Sequence, residues 1–204
     1  MTYIEHLTIE AADAQAAEDF YTAAFGSDLP LRFRASEEPT SGFRGFTLDL
    51  VAAQPANVDL LFDAALAAGA ETVKAPVKSL WGYGGVLRTP DGVVMKLVTS
   101  SKKDTEPAER KYDEVVLLMG TTDMKAAKKF YEANGLEVAK SYGGKYTEFA
   151  TDKGAVKLAL YPRKAFAKTA FVDPAGSGSH RIAIGGSGGS FTDPDGFVWE
   201  GTGA

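Results

Sequence analysis

The sequence has no cysteine, two histidines and two tryptophans among its 204 residues. The missing cysteine excludes disulfides, thiolate nucleophiles and thiolate metal sites. Any transition-metal centre must therefore draw on His6, His180 and carboxylates. Positive charge is also short: 22 Lys and Arg stand against 27 Asp and Glu, a formal net charge of -5. That balance excludes the basic surface that nucleic acids and anionic membranes require. No apolar run is long enough to span a bilayer. The opening "MTYIEHLTIEAAD" lacks the basic and apolar regions of an export signal, so a cytoplasmic location is expected. What remains is an ordinary globular composition, 45% hydrophobic and 24% charged, enough to bury a core in one large domain or two small ones.

The chain repeats itself. "YIEHLTIEAADAQAAEDFYTAAFG" near the start is echoed by "YDEVVLLMGTTDMKAAKKFYEANGL" past the middle. Each has an apolar strand, an Asp, and a helix with Phe-Tyr seven residues after that Asp: Asp13 with Phe20-Tyr21, and Asp123 with Phe130-Tyr131. Each Asp suits a helix N-cap, and the aromatics read as core on one helical face. A second echo closes each half, "TPDGVVMKLV" from Thr89 and "DPDGFVWEGT" from Asp193, and Pro-Asp-Gly in both signals a turn. Asn57 is expected to cap a further helix over "NVDLLFDAALAAGA". The polar "SSKKDTEPAERK" reads as a linker. These signals divide the chain into half 1 (residues 1–99), a linker (100–111) and half 2 (112–204). The fold class is α+β, tandem βαβββ modules in mixed sheets. No helix has room between "SHRIAIGG" and the closing strand, so the last module is abbreviated.

The opening "HLTI…D" strand and helix with "FY", then "WGYGG…TPDG", then "DPDGFVWE", resemble the vicinal oxygen chelate superfamily, also called glyoxalase/bleomycin-resistance/dioxygenase. The resemblance runs over nearly the whole chain, twice. It implies curved sheets around a cup that holds a small molecule. It also implies either a divalent metal there (Zn, Ni, Mn or Fe), held by two histidines and one carboxylate, or a metal-free cup that sequesters a drug.

Taken residue by residue, the family's ligand positions fall on His6 in the first strand, His180 before "RIAI" and Glu200 in the closing strand. In the closing strand of half 1 the corresponding residue is Lys96, which repels a divalent cation, so half 1 alone cannot form the usual site. The triad His6, His180 and Glu200 requires strand exchange between halves or between two chains. If half 2 works alone, Glu114 replaces His6, with Val115 beside it at the likelier register. Each residue also has a plainer reading, as a strand-start histidine or a solvated glutamate. Trp81 and Tyr83 are expected either to line the cup or to pack at its rim. The glycine-rich "GGSGGS" precedes neither a lysine nor a helix start and reads as a loop rather than a phosphate cradle.

Three functions compete. The first is a metal-dependent lyase, isomerase or dioxygenase with Glu200 also serving as base. The second is a metal-free protein that sequesters a small drug or toxin. The third is a fold remnant used for protein contact. The partner expected is a small molecule, and a homodimer is compatible with strand exchange.

Overall fold

The computed structural model describes residues 1–151 and 155–202. Its elements begin β1 (Ile4–Ala11), α1 (Ala14–Phe25), β2 (Leu31–Ala35), β3 (Thr40–Gly42), β4 (Phe46–Val51), α2 (Pro55–Ala67), β5 (Glu71–Ser79), β6 (Gly82–Arg88) and β7 (Val94–Thr99). There follow β8 (Glu114–Thr121), α3 (Met124–Ala133), β9 (Val138–Ser141), β10 (Thr147–Phe149), β11 (Lys157–Pro162) and α4 (Arg163–Thr169). The chain closes with β12 (Gly176–Gly178), β13 (Ile182–Gly186), β14 (Phe191–Thr192) and β15 (Val198–Gly201). The class is α+β with mixed sheets, as the repeats predict. From β13 the chain passes to β14 and β15 without a helix, so the last module is indeed abbreviated. The short α4 carries no side-chain N-cap that would announce it.

The chain forms two compact units: Met1–Ala14, Pro30–Phe46 and Leu117–Ala204 in unit 1, and Gln15–Leu29 with Thr47–Val116 in unit 2. Unit 1 takes strands from both sequence halves. Its five-stranded sheet has the order β14-β15-β13-β1-β2. Here β1 runs antiparallel to β13 and parallel to β2, and β13 runs parallel to β15. The strand exchange needed to bring His6 and Glu200 onto one sheet thus occurs within a single chain.

Side chains alternate across that sheet. One face carries Leu7, Ile9, Ile182, Ile184 and Trp199, all buried. On α3, Tyr131 sets its ring 5.7 Å from that of Trp199 and sends its hydroxyl to Asp193 at 2.6 Å. Asp193 also accepts from the backbone N–H groups of Asp195 and Phe197, which fixes the Pro-Asp-Gly turn before β15. Burial raises the pKa of Asp193. The register places His6, Thr8 and Glu10, Arg32 and Arg34, Ala183 and Gly185, and Val198 and Glu200 on the opposite face. In a second sheet segment of unit 1, β9, β10 and β11 are antiparallel neighbours.

In unit 2, β4, β5, β6 and β7 take the order β5-β6-β7-β4, with β4 parallel to β7. Val58, Leu61, Phe62 and Ala65 of α2 are buried against β6 and β7. Asp123 caps α3, accepting from the N–H groups of Lys125 and Ala126. Asn57, by contrast, lies inside α2, which starts at Pro55 after Gln54. Proline suits the first helical position because its φ is preset and it has no N–H to satisfy. Asn57 instead accepts from the N–H of Glu109. Gln54 accepts from Thr105 and Glu106, so part of the 100–111 segment is bonded down along the start of α2. Phe20, Tyr21 and Tyr131 are buried as expected. Phe130 stays partly exposed, because its neighbour Phe191 sits on the two-residue β14, which covers little of it.

Candidate functional site

The cross-strand register sets out one row of the polar face in unit 1. His6 on β1 pairs with Gly185 on β13, and Gly185 pairs with Glu200 on β15. Glycine in the middle leaves a gap, and the imidazole of His6 fills it: a Cβ on Gly185 would lie 2.2 Å from that ring. The ring is buried. Burial, and then the charge of Arg32, lowers the His6 pKa, against the carboxylates of Glu5 and Glu200.

Glu200 is held by Arg34. The Nη2 group of Arg34 donates to Glu200 Oε1 at 2.9 Å and to Glu10 Oε1 at 2.7 Å, and its Nε donates to Glu10 Oε1 at 3.1 Å. The hydrogen bonds to Glu200, then to Glu10, raise the Arg34 pKa. Two carboxylates therefore share one guanidinium.

His180 takes a different place. It precedes β13, and its ring stacks on Phe197 at 3.8 Å between centroids with an 11° tilt. Its Nδ1 meets the carbonyl of Arg44, and its Nε2 lies 3.0 Å from the carbonyl of Asp195. A neutral imidazole can donate through only one nitrogen, and here neither nitrogen faces an open ligand position. Five positions separate His180 from Gly185, the strand partner of Glu200. Arg181, between His180 and β13, has φ 52°, so His180 stands off the strand that carries Gly185. Its ring nitrogens face backbone carbonyls. His6 and Glu200 do share a face.

The other expected residues lie elsewhere. Glu114 opens β8, exposed, among the residues of unit 2. Trp81, in the turn between β5 and β6, is 84% exposed. Tyr83 donates its hydroxyl to Asp59 at 2.6 Å, and burial together with that carboxylate pushes its pKa to about 12. Trp81 projects from the β5–β6 turn, whereas Tyr83 stands on β6 and is tied by its hydroxyl to α2.

A cavity of about 250 Å³ opens beside the charged cluster in unit 1, bordered by Glu10, Arg34, Ser179, His180, Asp195 and Val198. Ala183 and Val198, on the same face as the cluster, supply apolar wall. The Asp195 carboxylate is already occupied by Thr121 and by the N–H and hydroxyl of Thr122. Among the described residues no three of His, Cys, Asp and Glu are grouped so as to hold a metal ion. The donors present do not fit the ion that the fold family implies. Glu10 and Arg34 were not singled out from the sequence. The signal was present in the alternation of "HLTIE" and "LRFRA", which puts His6 with Glu10 and Arg32 with Arg34 on one face.

No family model and no curated relative matches the sequence. Solved structures do. Glyoxalase I from Zea mays is similar over 98% of this chain and 91% of its own, at 15% identity and a TM-score of 0.63. A candidate dioxygenase from Bacillus subtilis is similar over 90% of this chain and 69% of its own, at 13% identity and a TM-score of 0.53. At identities of this size, what is shared is the fold. Among the described residues no helix is long and apolar enough to cross a membrane.

Proposed function

We propose that this chain, which has the fold of the vicinal oxygen chelate superfamily, is a metal-independent, cytoplasmic binding protein for a small molecule. The ligand occupies the cavity between the Glu10–Arg34–Glu200 cluster and the β13 approach. The observation that carries this reading is the guanidinium of Arg34 seated between two carboxylates at 2.7 and 2.9 Å. It supplies the positive charge that a bound ion would otherwise bring to these acids. The neighbouring cavity has charged groups beside the apolar Ala183 and Val198, the mixture that fixes a ligand's orientation while burying its body. At about 250 Å³ it suits a ligand smaller than drug size.

The test has two arms. Protein purified without affinity metal or chelator should contain far less than one divalent ion per chain by elemental analysis. Neutral and charged fragments should bind in ligand-observed NMR, and Val198→Trp, which fills the cavity from a half-exposed position, should abolish that binding. Stoichiometric metal would restore the lyase, isomerase or dioxygenase reading, with Glu200 and His6 as its first residues to test. Fragment binding that survives Val198→Trp would move the site elsewhere.

A further inference from the structure

The three members of the charged cluster are not equally anchored. Glu10 is on β1 and Glu200 on β15, and both strands have hydrogen-bonded neighbours on either side. Arg34 is on β2, the edge of that sheet. Its side chain is 45% exposed, that of Glu200 41% and that of Glu10 18%. The cation on the edge strand can therefore swing into water by rotating its own side chain, whereas Glu10 stays largely covered on an inner strand. The cluster itself holds two acids to one base; Arg32 lies on the same face of β2 but does not border the cavity, which Asp195, its carboxylate held by Thr121 and Thr122, does. Arg181, the other guanidinium near this end of β13, is committed to the carbonyls of Ser36 and Glu38.

We propose that Arg34 is a displaceable placeholder, and that the ligand of this cavity carries its own amidinium or guanidinium head, which takes the Arg34 position between Glu10 and Glu200. A planar N–H fork suits a carboxylate pair better than a compact ammonium does, because it can meet both acceptors in fixed directions. The body of such a ligand then lies along Ala183 and Val198. This inference rests on the cavity being a ligand site, and it adds the chemical class of the ligand.

Benzamidine is the probe, and benzoate its anionic counterpart. Titration calorimetry on the full chain should show weak benzamidine binding to the native protein. Binding should tighten about tenfold in Arg34→Ala, where the internal competitor is gone, and be lost in Glu200→Gln. Arg34→Met, which keeps the hydrocarbon stem, serves as a second variant should the alanine variant fold poorly. Unchanged or weaker benzamidine binding in both Arg34 variants overturns the proposal. So does benzoate binding that disappears with Arg34, since Arg34 would then be the receptor for an anionic ligand. If neutral fragments bind and are expelled by Val198→Trp while benzamidine does not bind, the placeholder fails and the cavity reading stands. If nothing binds, both fall.

Discussion

The closing strands of the two sequence halves carry the same motif to opposite ends. In unit 2, Lys96 of β7 pairs in register with Asp49 of β4. The two form a 2.9 Å ion pair with side chains 13% and 6% exposed, and Thr47 donates to the same carboxylate at 2.6 Å. In unit 1 the corresponding positions are Glu200 and Gly185, also in register on parallel strands. Here the acid stands where the lysine stood, and glycine replaces the aspartate. The charge is completed from further away, by Arg34 on the edge strand, and the gap over glycine is filled by His6. The first arrangement is closed and self-satisfied. The second is half-exposed and borders a cavity. A pair of buried, directly opposed charges makes core, whereas a glycine at the same register position frees the space for a site.

The largest expected effect tests that contrast. Lys96→Met should cost about 3–5 kcal/mol in urea or thermal unfolding, because it strands a buried carboxylate. Burial already pushes the Asp49 pKa up, and Lys96 opposes it. Arg34→Met should cost only about 0–1 kcal/mol, because its partners remain partly solvated. Similar losses in the two variants would mean that the unit 1 cluster is as structural as the unit 2 pair. The double change Asp49→Leu with Lys96→Met should recover most of the loss, since a well-packed apolar pair replaces buried ions at little cost.

The next effect is steric. Gly185→Ala places a Cβ within 2.2 Å of the His6 ring and should cost about 1–3 kcal/mol. In His6→Ala the same methyl has room, so the double variant should be more stable than the sum of the single losses implies. A double-mutant cycle without coupling would show that His6 does not fill the gap over glycine.

How much of this could be read from the amino acids is uneven. The repeats gave the modules, the caps at Asp123 and the missing last helix, because local chemistry and period decide those features. The resemblance drew attention to His6 and Glu200, and the register does place them on one face. At His180 the ring's partners are the carbonyls of Arg44 and Asp195, and backbone acceptors leave no trace in side-chain spelling. Arg34 went unnoticed for a related reason. Its role depends on β2 lying beside β1, a pairing that the alternation in "LRFRA" allows but does not announce. Asn57 gave way as cap to Gln54, with Pro55 as the first helical residue, a turn-chemistry signal present in the sequence and outweighed there by the apolar period.

The smallest effect is the pH dependence of the row His6–Gly185–Glu200. Burial and the Arg32 charge lower the His6 pKa below its usual 6.5, while Glu200 and Glu5 oppose the shift. The sign follows from linkage. As pH falls, the unfolded chain takes up this proton first, so stability falls with pH from 6.5 down to the folded pKa and is level outside that window. In unit 2 the corresponding position carries Asp49 itself, and burial raises its pKa, so that group bends stability the other way, from 3.8 upward. To isolate His6, the unfolding free energy of the native chain is compared with that of His6→Gln at several pH values between about 8 and 5. Common groups cancel in the difference. The advantage of the native chain over His6→Gln should shrink on acidification. If it grew instead, the imidazolium would be the favoured form in the folded state, and Glu200 rather than burial would dominate at that row.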